Sequence, residues 1–100
     1  DQHFMHRARY NRLLSAVLDH PQLIGVGIDE ETALLVRPDG VWEGLGTHYV
    51  KLCDARQARI IDDTNDLLAK ASDIRMHILP EGGTFDPRRG RVRFPLLPQP

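Results

Sequence analysis

The chain has 100 residues, of which 41% are hydrophobic and 27% charged, with a formal net charge of −1. That length holds one domain at most, the balance is that of a globular protein, and so small a domain has little room for a deep buried cleft. Near-neutral charge removes any overall electrostatic ground for binding nucleic acid or an anionic membrane, so charge-based recognition must be local. Cys53 is the sole cysteine and cannot form an internal disulfide, which favours a cytoplasmic setting without excluding a secreted one. No apolar run approaches the roughly 20 residues of a membrane span, and no signal peptide is visible. The chain opens on Asp1-Gln2-His3-Phe4 without an initiator methionine, and it reads as a fragment or a processed chain.

From about Met5 to Asp19, Tyr10, Leu13, Leu14, Val17 and Leu18 form one stripe at helical spacing, and Pro21 ends it. Leu23 to Ile28 is apolar on both alternating sets of positions, as expected of a strand covered on both faces, and Gly25 and Gly27 imply close packing against its backbone. Asp29-Glu30-Glu31-Thr32 makes a polar corner, Ala33 to Val36 a second strand, and Pro38-Asp39-Gly40 a turn. Val41 to Gly46 and Thr47 to Cys53 read as further short strands, with Gly44 and Gly46 marking a bend or bulge. Asp54 to Asp73 is predicted to be mostly loop, with at best a short helix around Thr64 to Ala71. Ile74, Met76 and Ile78 alternate with polar residues and mark a last strand, and Glu81-Gly82-Gly83 turns the chain. Residues 1–94 form the expected domain, and Pro95 to Pro100 a loosely attached, proline-rich tail. One helix with several strands points to part of an α/β sheet.

Arg7, Arg9 and Arg12 crowd the start of the predicted helix, where the macrodipole mildly disfavours cations. Beside Asp1, Gln2 and His3 they offer guanidinium forks suited to carboxylates, against the plainer reading of a solvated basic face. A histidine needs a carboxylate to fix its tautomer before it can serve a serine or cysteine nucleophile. Open α/β sheets place such groups beyond their strand ends. Asp29, Glu30 and Glu31 are all available there, and spacing does not choose among them.

Asp1-Gln2-His3-Phe4, then Arg7-x-Arg9-x-x-Arg12-Leu13, then Gly25-x-Gly27-Ile28-Asp29-Glu30-x-Thr32-Ala33 resembles the C-terminal half of the cyanophycinase family, relatives of the aspartyl dipeptidases. The resemblance is strong from Asp1 to Val36 and weaker around Ile78 to Asp86. It implies a serine peptidase that removes β-aspartyl-arginine dipeptides from the polymer cyanophycin, within a three-layer α/β sandwich of the glutamine amidotransferase-like (flavodoxin-like) kind. On that resemblance His3 is the triad base, Glu30 the triad acid, and Asp1, Gln2, Arg7, Arg9 and Arg12 bind the peptide substrate. It also implies a homodimer and a nucleophilic serine in an upstream segment or partner chain. Ser15 and Ser72 are the only serines here, and neither has the glycines of a nucleophile elbow. The chain by itself is therefore expected to be inactive. The alternatives are an aspartyl dipeptidase acting on small peptides and a non-catalytic binding protein that keeps the pocket.

No metal or cofactor is expected: His3 and His6 lack further ligands at matching spacing, and Gly25-x-Gly27 is too little for a phosphate loop. Cys53 reads as a small buried hydrophobe, and Trp42 and Tyr49 as packing residues.

Overall fold

The computed structural model describes residues 2–61 and 70–95, with residues 2–10 described as helical backbone. One helix, α1 (Gln2–Asp19), is followed by β1 (Ile24–Ile28), β2 (Thr32–Val36), β3 (Trp42–Gly46), β4 (Val50–Asp54), β5 (Arg59–Ile61), β6 (Lys70–Ser72), β7 (Arg75–Leu79), β8 (Thr84–Asp86) and β9 (Arg91–Arg93). Three sheets result, ordered β1-β4-β7, β2-β3-β8-β9 and β5-β6. The pairings β2–β3, β3–β8, β8–β9 and β5–β6 are antiparallel. The described residues are thus α/β in content, with a single helix and mostly antiparallel strands.

By contact density the chain divides into two compact units, Asp1–Gly27 with Leu52–Met76, and Ile28–Lys51 with His77–Pro100. The first is built around α1. Val17, Cys53 and Ala55 form its buried cluster, with Leu13, Ala58 and Ile74 packed against them. A Cβ added at Gly25 would lie 2.5 Å from Val17 Cγ2 and 2.8 Å from Leu13 Cδ1, so the helix rides directly on the backbone of β1. Buried Asp54 is held in a fork by Arg56, Nε to Oδ1 at 3.0 Å and a terminal nitrogen to Oδ2 at 2.9 Å. That bidentate geometry gives a carboxylate two charge-assisted hydrogen bonds inside a small core.

The second unit is centred on Phe85, which is fully buried, as are Leu79 and Val50. The Trp42 and His77 rings lie 5.6 Å and 5.3 Å from the Phe85 ring, both tilted, the arrangement aromatic quadrupoles prefer. The β2–β3 hairpin turns through Pro38-Asp39-Gly40, where Arg37 and Val41 bond across the turn and Asp39 Oδ1 accepts from the Val41 amide. At Gly46 φ is +111°, and a Cβ there would meet the Glu31 carbonyl oxygen. Only glycine closes this end of the hairpin.

Several expectations are corrected. Leu23 to Ile28 is not covered on both faces, since Leu23 and Ile28 are 57% and 51% exposed and the residues between are half-buried. The buried strand is β4, the middle strand of its sheet, where Val50, Leu52, Cys53 and Asp54 are all enclosed. Within Asp54 to Asp73, two three-residue strands that the sequence does not signal, β5 and β6, pair with Ile60 opposite Ala71, and residues 62–69 between them lie outside the described residues. The helix predicted around Thr64 to Ala71 lies mainly outside the described residues, and Ala71 itself is in a strand. Tyr49 is half exposed and does not pack as a core residue. Of the predicted proline-rich tail, residues 96–100 lie outside the described residues.

Candidate active site

α1 begins at Gln2, three residues before the start its apolar stripe predicts, and so carries Gln2, His3, Arg7, Arg9 and Arg12 on one element. This changes the reading of the arginines. A macrodipole acts within the first turn, and Arg7, Arg9 and Arg12 all stand beyond it, so helix electrostatics neither oppose nor favour them. Arg12 is exposed. Asp1, and the side chains of Gln2, His3, Arg7 and Arg9, lie outside what is described.

The carboxylate corner is described in full. β1 ends at Ile28 and β2 begins at Thr32, which puts Asp29, Glu30 and Glu31 in the connection. Asp29 Oδ1 is 3.3 Å from Lys51 Nζ, and its Oδ2 accepts from the Tyr49 amide at 3.4 Å. Glu31 adopts a left-handed backbone, φ 54°, and its carboxylate accepts from Thr47 Oγ1 at 3.4 Å. The Glu30 backbone is fixed from two sides, its carbonyl accepting from Thr32 Oγ1 at 2.9 Å and from His48 Nδ1 at 2.8 Å. A carbonyl can only accept, so His48 carries its proton on Nδ1. Of the three carboxylates, Glu30 is the one that no described side chain or amide engages, and it is exposed.

Other candidate nucleophiles are ill placed. Cys53 is buried, and burial first, with the Asp54 carboxylate second, pushes its thiol above the ordinary value of 9.0, the reverse of a reactive cysteine. Ser15 is exposed on α1, and Ser72, on β6, donates to Asp73 Oδ2 at 3.2 Å; neither stands on a strand-to-helix turn. Among the described residues no three His, Cys, Asp or Glu groups converge to hold a metal ion, and no helix is long and apolar enough to cross a membrane.

Two features escaped the sequence reading. His48 is drawn to Glu30 by hairpin closure across 18 positions, a contact no local pattern signals. A cleft in the second unit is lined by Arg37, Arg89, Arg91 and Arg93; here the run Arg88-Arg89-Gly90-Arg91-Val92-Arg93 was a visible signal.

One helix with nine described strands, and an open carboxylate at a strand-end corner, define a small α/β domain. No protein-family model matches the chain. Individual proteins do: the cyanophycinase of Synechococcus elongatus is 36% identical over 104 residues, covering 100% of this chain and 32% of its own length. That of Trichormus variabilis is 37% identical over 91 residues, 85% of this chain and 30% of the relative. That of Geminocystis herdmanii is 36% identical over 92 residues, 86% and 33% respectively. The chain is thus similar to cyanophycinases along 85% or more of its length, and it spans about a third of the length of the curated relatives it matches.

Proposed function

We propose that the chain contributes the base and acid of a serine-type peptidase that releases β-aspartyl-arginine dipeptides from cyanophycin, and that its elements belong to the C-terminal part of a three-layer α/β sandwich. The observation that carries this reading is the 36–37% identity to cyanophycinases along the chain. The corner supports it, because Asp29 and Glu31 are engaged in holding the connection while Glu30 remains open.

In this reading His3 takes the proton of a serine hydroxyl as that oxygen attacks the scissile carbonyl, then passes it to the leaving amine. Glu30 holds the imidazole in the required tautomer and stabilises its charged form. Asp1, Gln2, Arg7, Arg9 and Arg12 bind the substrate, the arginines through its carboxylates and the acid through its guanidinium. The serine is supplied from outside these 100 residues, so the chain alone is inactive, and the working protein is a cytoplasmic homodimer.

The test is release of β-aspartyl-arginine from cyanophycin by the intact protein and by its His3→Ala and Glu30→Gln variants. Loss of about 10³-fold or more in kcat for His3→Ala, with the fold retained, is expected, since a triad acts as a unit. Hydrolysis of small aspartyl peptides but not of the polymer would reassign it to the dipeptidases. Binding without turnover in the intact protein would make it a non-catalytic relative.

A further inference from the structure

The second unit ends in a cationic sheet edge. β8 and β9 form a hairpin in register Thr84 to Arg93, Phe85 to Val92 and Asp86 to Arg91. Its turn is closed by the Gly90 amide on the Asp86 carbonyl at 2.7 Å and by the Arg88 amide on Asp86 Oδ1 at 3.0 Å. Strand alternation sends Phe85 into the core and sets Arg91 and Arg93 on one face, about 7 Å apart. With Arg37 and Arg89, and beside Val41, Thr84 and Asp86, they line a cleft of about 380 Å³.

The charges are unbalanced in a way that points to a ligand. Arg37 is occupied by Asp39 at 2.9 Å and Glu43 at 3.8 Å, and Arg89 lies 3.8 Å from Asp86. No described carboxylate comes within ion-pairing distance of Arg91 or Arg93, although both are exposed on a chain of net charge −1. The basic residues of this edge are all arginine, whose planar fork matches a carboxylate in two parallel hydrogen bonds where lysine offers a point charge. β9 is also the end strand of its sheet, so among the described residues one row of its backbone amides and carbonyls has no strand beside it.

We infer that β9 is a docking edge for an extended acidic peptide, which adds as a further strand and sets carboxylates from alternate residues against Arg91 and Arg93. Alternate side chains of an extended peptide share one face at the same spacing of about 7 Å, so backbone register and charge register coincide. The inference stands apart from the roles proposed for His3 and Glu30.

Fluorescence anisotropy with a dye-labelled octapeptide alternating Asp and Ala tests it on the intact protein. The peptide should bind, its Asn-Ala counterpart should not, and N-methylation of the amides facing β9 should abolish binding to the unaltered protein. Arg91→Gln with Arg93→Gln should weaken binding at least tenfold, Arg93→Gln alone should weaken it less, and neither should shift the melting temperature. Undiminished binding of the N-methylated peptide, unchanged affinity in the double variant, or equal or tighter binding of a single-stranded oligonucleotide of the same charge would each overturn the inference. So would failure of the acidic peptide to bind, which would leave the arginines as guards against edge-to-edge aggregation.

Discussion

The two units of this chain solve the same small-domain problem with different materials. One builds its core from Val17, Cys53 and Ala55 and ties in a buried carboxylate with an arginine fork; the other gathers Trp42 and His77 around a fully buried Phe85. A core of small side chains removes little apolar surface from water per residue, so polar ties carry more of its stability, whereas one phenyl ring concentrates the hydrophobic contribution at a single position. The aromatic unit fails at one residue, and the other is spread over many weak contacts.

Phe85→Ala carries the largest expected loss of stability. It should lower the unfolding free energy by about 3–5 kcal/mol, against about 2 kcal/mol for Val17→Ala, both read from urea titrations. Equal losses would mean that the aromatic cluster is not the centre described. Next in size is Arg56→Ala, which leaves the buried Asp54 carboxylate without its fork. Breaking a buried pair from one side typically costs 3–5 kcal/mol, but the Arg56 side chain is 31% exposed and water can replace part of its contact. A loss of about 2 kcal/mol is expected, partly restored in Arg56→Lys.

The smallest effect belongs to Cys53 and appears as a pH dependence. Burial raises its folded pKa above the ordinary value of 9.0, so its neutral form favours the folded state. That contribution is complete below the ordinary value and is lost as pH rises toward the raised one. Cys53→Ala should cost about 1 kcal/mol at neutral pH and should flatten the stability loss above pH 9, measured by denaturation at both pH values. A mutant whose alkaline loss matches the parent's would show that the thiol is not the group responsible.

The long elements were legible because they repeat their signals. α1 shows its apolar stripe over several turns, and β2, β3 and β7 have both alternation and flanking turn residues. Strands β5, β6, β8 and β9 have three residues each, too few for a period of two to be distinguished from chance, and they exist through their pairing partners. Coverage of β1 was overestimated because a run such as Ile24-Gly25-Val26-Gly27-Ile28 is apolar by composition while its glycines bury almost no side chain. The site divides in the same way. The acidic corner Asp29-Glu30-Glu31 was legible as a polar connection past a strand end, with spacing leaving the choice among its carboxylates open, whereas the bond of His48 to the Glu30 carbonyl and the approach of Arg37 to the β9 arginines depend on long-range hairpin closure.

The bond from His48 to the Glu30 carbonyl also ties the far end of a hairpin to the residue that opens it, 18 positions earlier. The Thr32 hydroxyl holds the same oxygen from inside the corner. Both anchors fall on the main chain of Glu30 and neither on its carboxylate, so exchanging that side chain leaves the path of the corner in place.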